Sequence, residues 1–407
     1  MNRWFVPGRI EFLGKHTDYA GGPSLVCAVE RGFSVEASPR QDRLVRIRDE
    51  NRPAPAVELQ WDPGSMPPAE QNWTVYAATV VRRLARNFPG NLRGADITFR
   101  SDLPRAAGLS SSSALVTALF TALGDLNHLS EHPAYARNIR SQEDLAGYLG
   151  CIENGQTFGT LTGDAGVGTF GGSEDHAAIL CSRPGQLSLF TFCPVRGEGT
   201  VPVPEGHTFV IGASGVAAKK TGDAREKYNR AALAAFTILR MWNEQTGRSD
   251  ASLRAVVCSA KASAERLREI LRRSKDERFT AQALLDRFEH FLEESQNIVP
   301  AAVDALTRGD VASLGRIVDA SQAAAERLLG NQIPETIELV RLARAQGAVA
   351  ASAFGAGFGG SVWALVRANE ASGFCDAWQN GYRERFSGAA AASQFFVTGA
   401  GPGLTRL

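Results

Sequence analysis

The sequence lacks any apolar run long enough to cross a membrane, and it is poor in cysteine. Its six cysteines in 407 residues show neither C-x-x-C nor paired Cys/His spacing, so neither a disulfide framework nor a zinc site is indicated. The chain also has no large excess of positive charge, because its 44 Lys and Arg residues are nearly balanced by 43 Asp and Glu residues. We therefore expect no nucleic-acid partner. A Pro7-Gly8 turn follows the N-terminus so closely that no room is left for a signal peptide. We therefore predict a cytoplasmic protein with no membrane partner.

The composition is that of an ordinary globular protein, with 44% hydrophobic and 21% charged residues. A chain of this length can form two domains. Strand and helical patterns alternate up to about Val201, residues 202–205 are typical of a linker, and helical patterns rich in Ala, Leu, Arg and Glu begin at Arg225. We place the boundary so that the domains span 1–200 and 201–407. Nothing in the sequence sets an oligomeric state.

One stretch combines turn residues with four consecutive serines. It runs from Pro104 through Gly108 and Ser110–Ser113 into an Ala/Leu-rich helical pattern. Free backbone N–H groups and hydroxyls at a helix N-terminus favour an anion such as phosphate. A single capping serine would suffice for an ordinary helix start, which is the alternative interpretation. The stretch is not a G-x-x-x-x-G-K-[ST] loop, because no Lys follows the Gly.

Three further segments concentrate polar or glycine residues. Residues 5–22 crowd Arg9, Lys15, His16, Asp18 and Tyr19 ahead of two glycines, which suits a polyhydroxyl ligand, although a hairpin with a charged loop is possible. Residues 154–176 and 355–360 are glycine-rich and suit close approach of backbone to a ligand. A surface loop and a hairpin turn are the respective alternatives. The apolar run at 177–181 is predicted to be a strand.

These motifs, in this order, resemble those of the GHMP small-molecule kinases, and within them the galactokinases. P-G-R-I-E-F-L-G-K-H-T-D-Y-A-G-G is similar to their sugar-binding motif, P-R-A-A-G-L-S-S-S-S-A to their phosphate loop, and G-A-G-F-G-G-S to their C-terminal glycine motif. The resemblance spans almost the whole chain. It implies an α+β fold of two lobes: an N-terminal lobe with a mixed sheet, and a C-terminal lobe whose helices cover an antiparallel sheet.

The resemblance also implies ATP and Mg²⁺ as cofactors, a small-molecule sugar as partner, and transfer of phosphate to the anomeric (C1) hydroxyl of a hexose. Ser112 and Glu153 would hold the metal, and Arg9 would stabilise the transferring phosphoryl group. His16, Asp18 and Tyr228 would bind the sugar. The implied ATP-binding residues are Pro104, Gly108, Leu109, Ser110, Ser111, Ser112, Ser113, Ala114, Trp73, Gly357 and Gly359.

Two acidic residues compete for the role of catalytic base. Galactokinases carry Met-Asp-Gln in this region, and this chain offers Asp164 or Asp175. The spacing from Glu153 and the following glycine pair favour Asp164, whereas Asp175 falls where the family has Lys-Asp-His ahead of its next strand. We predict Asp164 as the catalytic residue. A plain turn-capping role for it is the alternative.

Lys15 stands where galactokinases carry a glutamate that accepts a hydrogen bond from the sugar 6-hydroxyl. An ammonium there would favour a carboxylate, so Lys15 is predicted to bind substrate and a hexuronate such as galacturonate is an alternative acceptor. Lys15 directed away from the substrate is the other interpretation. Two more alternatives remain: mevalonate- or homoserine-type alcohols as acceptors, and a catalytically silent sugar- and ATP-binding sensor.

Overall fold

A computed structural model describes residues 2–65, 72–217 and 223–407. The strands, in chain order, are β1 (Asn2–Leu13), β2 (Pro23–Pro39), β3 (Leu44–Asp49), β4 (Val57–Gln60), β5 (Ala95–Ser101), β6 (Gln186–Thr191), β7 (Arg196–Pro202), β8 (His207–Ala213), β9 (Ala350–Phe354), β10 (Ser361–Arg367), β11 (Gln394–Thr398), β12 (Ala400–Gly401) and β13 (Thr405–Arg406). The helices are α1 (Thr74–Asn87), α2 (Ser111–Leu126), α3 (Pro133–Asn138), α4 (Gln142–Asn154), α5 (Glu174–Cys181), α6 (Asp223–Thr246), α7 (Leu253–Ser259), α8 (Ser263–Arg272), α9 (Ala281–Leu292), α10 (Val299–Thr307), α11 (Val311–Ala324), α12 (Pro334–Ala345), α13 (Ala371–Arg385) and α14 (Ser387–Ala390).

The first sheet is mixed. Its main order is β13-β1-β2-β5-β3-β4, and β6 and β12 also pair with β2. Only the β3–β5 pair is parallel among the strand pairs of the described residues. Side chains from this sheet and from α1, α2, α4 and α5 form the largest hydrophobic core. The last two strands thus return the C-terminus to the first sheet.

The second sheet is antiparallel throughout, with the order β11-β8-β10-β9. Helices α12 and α13 cover it, and their apolar residues form a separate core with β9 and β10. A third core joins α6, α7, α8 and α9. The predicted α+β fold, with one mixed sheet and one helix-covered antiparallel sheet, is confirmed.

One secondary-structure prediction was wrong. Residues 177–181, expected as a strand, lie in helix α5, which begins at Glu174. A five-residue apolar run cannot distinguish a buried strand from a short buried helix. The deciding feature is the acidic pair Glu174-Asp175, which occupies the first helical turn, where the helix dipole stabilises carboxylates. The error matters because it changes where Asp175 lies.

The described residues contain no helix that is long and apolar enough to span a membrane.

Candidate active site

A cleft with a volume of about 400 Å³ opens where β1, the start of α2, the start of α5 and the 355–356 turn meet. One end, termed the aromatic end, is lined by Phe33, Trp73, Tyr76 and Phe99. The other, termed the acidic end, is lined by Glu11, His16, Asp18, Glu174, Asp175 and Tyr228. A cleft with an apolar aromatic end and a polar end can hold a flat ring and a hydroxylated molecule together.

The aromatic end takes its shape from the start of α1. Trp73 precedes that helix, and its ring meets the Phe99 ring edge to face, with centroids 5.4 Å apart. Tyr76 lies one turn further along α1 and also lines the cleft. The structure therefore places Trp73, one of the predicted ATP-binding residues, where a nucleotide base could stack.

The four serines Ser110–Ser113, termed the serine loop, all line the cleft. Helix α2 begins at Ser111, so the N–H groups of its first turn belong to residues on the cleft wall. Ser110 adopts a left-handed backbone with φ 58°, and its buried Oγ has no hydrogen-bond partner among the residues that the structure describes. This arrangement is suited to an anionic ligand.

The remaining predicted ATP-binding residues divide into two groups. Gly108 lies on the cleft wall, where a Cβ would come within 3.2 Å of the Phe354 carbonyl oxygen. The others do not reach the wall of this cleft within the described chain. Leu109 and Ala114 are buried in the core, while a Cβ on Gly357 or Gly359 would collide with the carbonyl oxygen of Asn331 or of Val216. These residues are Pro104, Leu109, Ala114, Gly357 and Gly359.

Arg9 and Asp175 form the central ion pair of the cleft. Nε of Arg9 donates to Oδ1 of Asp175 at 2.8 Å, and Nη1 donates to the Gly108 carbonyl oxygen at 2.6 Å. Oδ2 of Asp175 accepts a hydrogen bond from Ser113 Oγ at 3.1 Å. Burial opposes the charge of Arg9, but Asp175 and Glu174 together raise the pKa of the guanidinium. The Asp175 carboxyl is thus held beside the serine loop by Arg9 and Ser113.

Asp164 lies elsewhere. Its carboxylate accepts from Arg82 Nε at 2.7 Å and pairs with Arg83 Nη1 at 3.3 Å, and its side chain is only 3% exposed. Burial acts to raise the pKa of Asp164, but hydrogen bonds from Arg82 and Gly166 hold it below the usual value. In the described chain it does not line the cleft. The structure brings Asp175, not Asp164, to the serine loop.

Three predicted sugar-binding residues meet at the acidic end. The His16 ring bonds through Nδ1 to the Tyr19 hydroxyl at 2.9 Å and lies 6.0 Å from the Tyr228 ring. Asp18 Oδ2 accepts from the Glu174 backbone N–H at 3.4 Å. Gly172 is required here, since a Cβ on it would lie 2.3 Å from Asp18 Oδ2. His16, Asp18 and Tyr228 therefore share one pocket.

Lys15, the fourth of these residues, points away from the cleft. It is 1% exposed, its Nζ donates to Ser321 Oγ at 2.7 Å, and Ser321 in turn donates to Glu294. Glu294 also accepts from the Gly14 backbone N–H at 3.0 Å. Burial lowers the pKa of Lys15, and Glu294 is the largest opposing influence. Lys15 thus anchors the loop that carries His16 and Asp18 to the helical region.

This anchor leads to a prediction for Lys15→Met. The substitution should lower the free energy of unfolding by about 1–3 kcal/mol, because it leaves the buried Ser321–Glu294 pair without its cation. It should also raise the KM for every sugar by a similar factor, since the loop holding His16 loosens. Urea unfolding and steady-state kinetics measure both effects. A selective loss of activity on uronates, with stability unchanged, would instead place Lys15 on the substrate.

The predicted metal ligands both lie on the cleft wall. Ser112 belongs to the serine loop, and Glu153 lies at the end of α4. His176 Nε2 lies 3.0 Å from Glu153 Oε1, and its Nδ1 lies 3.1 Å from Thr117 Oγ1, so His176 packs beside the carboxylate. The described residues hold no cluster of three or more His, Cys, Asp or Glu side chains suited to a metal. One carboxylate and a hydroxyl fit Mg²⁺, which takes its other ligands from phosphates and water.

Sequence reasoning missed Glu11 and Glu174. Arg9 and Glu11 are two residues apart on β1, so they face the same side of the sheet, and the P-G-R-I-E pattern carried that signal. Glu174 went unrecognised because α5 was assigned as a strand. Both carboxyls line the acidic end and are buried, at 3% and 5% exposure.

Comparison with known proteins assigns the class. Residues 75–172 match the family model for the GHMP kinases N terminal domain, residues 302–384 that for the GHMP kinases C terminal, and residues 2–39 that for the galactokinase galactose-binding signature. The chain therefore carries the N-terminal and C-terminal domains of the GHMP kinases.

The curated relatives narrow this further. Galactokinases of Chloroflexus aggregans and Chloroflexus aurantiacus are each 30% identical to the chain, over 391 and 390 residues, which is 93% of this chain and 87% of each relative. The chain belongs to the galactokinase family, and the predicted class of ATP-dependent sugar kinase is confirmed. Lactococcus lactis galactokinase, solved in complex with galactose, shares the fold, with a TM-score of 0.80 at 24% identity over 100% of this chain and 95% of that one.

Proposed function

We propose that the protein transfers the γ-phosphoryl group of ATP to the anomeric hydroxyl of galactose or a closely related neutral hexose. The observation that carries the proposal is the Arg9–Asp175 pair, which joins the serine loop to the acidic end of one cleft. Phosphoryl transfer requires an acceptor hydroxyl held in line with the phosphoryl group of ATP. It also requires an anion site and a cation that hold the phosphates. The family membership and the galactose-binding signature over residues 2–39 support the sugar as acceptor.

Within this proposal Asp175 takes the role predicted for Asp164. Its carboxylate would accept the proton of the anomeric hydroxyl or hold that hydroxyl for attack. Arg9 would stabilise the charge on the transferring phosphoryl group and keep Asp175 ionised. His16, Asp18 and Tyr228 would hold the ring hydroxyls, and the aromatic end with Trp73 would hold the adenine.

Mg²⁺ is proposed as the metal cofactor, with Ser112 and Glu153 as its protein ligands. When bound, the ion neutralises charge on the phosphates of ATP.

The alternatives differ in their support. Lys15 was the reason to consider a hexuronate, and its ammonium does not face the cleft. Mevalonate-type acceptors fit poorly with a wall that carries His16, Asp18 and Tyr228 together. A silent sensor would not need both Arg9 and Asp175 in hydrogen-bond contact beside the serine loop.

A coupled ADP-release assay tests the function. Purified full-length protein with Mg-ATP and galactose should release ADP in step with the formation of a sugar 1-phosphate, identified by ³¹P NMR. Mevalonate and homoserine, run in parallel, should give only background. ADP release without sugar phosphate, or none with any sugar in a hexose panel, would contradict the proposal, and binding without turnover would favour the sensor.

A further inference from the structure

Arg287 on α9 is buried behind the loop of residues 14–22, which carries His16, and in the described structure it does not line the cleft. Its guanidinium is held from several sides. Nη2 donates to the His16 carbonyl oxygen, and Nε donates to the Ala231 carbonyl oxygen on α6 at 3.3 Å. These hydrogen bonds join α9 to the 14–22 loop and to the helix that bears Tyr228.

The same guanidinium reaches the side chain of Tyr19. Nη2 lies 3.2 Å from the Tyr19 hydroxyl oxygen, and the guanidinium carbon lies 5.6 Å from the centre of the Tyr19 ring. Nη1 lies 3.4 Å from Nδ1 of His290. Burial, followed by the charge of Arg287, holds the pKa of His290 well below its usual range. This neighbour is therefore a neutral acceptor, and Arg287 is fixed in its orientation toward Tyr19.

The direction of the hydrogen bonds from Arg287 to His16 follows from the chemistry of the three side chains. A guanidinium can only donate, so the Tyr19 oxygen accepts from Arg287. The Tyr19 hydroxyl then has its own hydrogen to donate, and His16 Nδ1 lies 2.9 Å from the hydroxyl oxygen. Burial raises the pKa of Tyr19 to about 12, so the hydroxyl keeps this hydrogen at neutral pH. His16 Nδ1 is thus the acceptor and carries no proton.

The contacts on the other side of the His16 ring agree with this assignment. Nε2 lies 3.3 Å from the Ala356 carbonyl oxygen, which can only accept, so a proton on Nε2 makes this contact a hydrogen bond. Asn331 Nδ2 lies 3.4 Å from the same oxygen and 3.4 Å from Nε2, so two donors converge on one carbonyl. The other tautomer would set a nitrogen lone pair against the Ala356 oxygen and leave the Tyr19 hydrogen without its acceptor.

We propose that Arg287 is a positioning residue that acts through the Tyr19 hydroxyl to hold His16 as the neutral tautomer with its proton on Nε2. The inference rests on the proposed function for the role of His16 as a sugar ligand and deepens that role. His16 and Ala356 both line the cleft, so the tautomer decides whether the ring offers a hydroxylated molecule a donor or an acceptor. With Nε2 protonated, His16 donates to an oxygen of the acceptor sugar.

NMR of the full-length protein labelled with ¹⁵N in histidine tests the tautomer directly, because protonated and unprotonated ring nitrogens resonate in separate ranges. We expect His16 to show a protonated Nε2 and an unprotonated Nδ1 at neutral pH, before any sugar is added. His16→Gln identifies the His16 signals among those of the six histidines. A proton on Nδ1, whether in the other neutral tautomer or in an imidazolium, would overturn the inference.

Arg287→Met tests the positioning role. Without the guanidinium, the Tyr19 oxygen is able to accept from His16, so the form with a proton on Nδ1 should appear as a measurable fraction. The KM for galactose with Mg-ATP should rise by roughly 3–10-fold, as the loss of one hydrogen bond predicts, with kcat changed less. Tyr19→Phe breaks the same chain of hydrogen bonds at its middle. It should have both effects and provides the test if Arg287→Met does not fold.

Arg268→Met is the matched control. Arg268 also pairs with α9, because its Nε lies 2.6 Å from Glu289 Oε1, and within the described residues its ion pairs are with Glu289 and Glu265. This variant should lose only the stability of a surface ion pair and leave the His16 signals and the KM unchanged. Signals that move in both arginine variants, or in neither, would overturn the role of Arg287. Absence of turnover with every sugar in the unmodified protein would refute the proposed function, whereas the NMR result would still decide the tautomer.

Discussion

Asp175→Asn is expected to lower kcat for sugar phosphorylation by about 10²–10⁴-fold, the usual contribution of a positioned general base. The carboxylate lies within hydrogen-bond distance of both Arg9 and Ser113, so its removal takes away the anion that would face the acceptor hydroxyl in the proposed function. Asparagine has nearly the same size and keeps one oxygen for Arg9, while the Ser113 hydroxyl can turn to accept a hydrogen bond from the amide, which should preserve the fold. Single-turnover ADP formation, with the unfolding midpoint measured in parallel, gives the result.

Asp164→Asn is the matched control for that experiment. Its carboxylate contacts Arg82 and Arg83 and does not line the cleft in the described structure. We expect kcat to stay within a few-fold of the unmodified protein, and stability to fall. If Asp164→Asn abolished turnover while Asp175→Asn left it intact, the original prediction of Asp164 would stand and the role proposed for Asp175 would be wrong.

The catalytic role was predicted for Asp164 and is now proposed for Asp175. This difference shows how much of the site could be predicted from the sequence. The family resemblance of the motifs predicted the fold and a role for Arg9, and the Gly/Ser-rich helix start predicted the serine loop because such a start imposes its geometry locally. The spacing from Glu153 and the following glycine pair favoured Asp164, and the strand expected at 177–181 counted against Asp175. A five-residue apolar run does not decide between a strand and a helix, and only its packing against β1, β2 and α2 does.

Lys15 illustrates a second limit. Its residue type and its neighbours in the motif indicated a charge facing the substrate. The direction of its side chain is set by Ser321 and Glu294. Ser321 lies 306 positions further along the chain. A contact between residues so distant in the chain leaves no local pattern. Glu11, by contrast, was predictable from its position two residues after Arg9.

Asp164→Ala is expected to lower the free energy of unfolding by about 3–5 kcal/mol, the range found when one partner of a buried ion pair is removed. The substitution leaves Arg82 and Arg83 buried, at 3% and 0% exposure, without their carboxylate. It should also loosen the 155–166 loop. Helix α1 holds this loop through two further hydrogen bonds. Arg86 Nη1 donates to the Gly163 carbonyl oxygen at 2.8 Å, and Asn87 Nδ2 donates to the Thr162 carbonyl oxygen at 3.0 Å.

The pH dependence of this loss has a defined sign. Because the folded protein holds the pKa of Asp164 below its usual value, the stabilisation is complete above the unfolded pKa of about 4 and disappears as the pH falls through the folded value. Urea unfolding of the unmodified protein and Asp164→Ala should therefore differ most near neutral pH and converge in acid. Asp42→Ala removes a carboxylate that pairs with Arg40 at the surface and should leave the midpoint nearly unchanged. Equal midpoint shifts for the two variants would mean that the Asp164 cluster does not hold the loop that leads to the cleft.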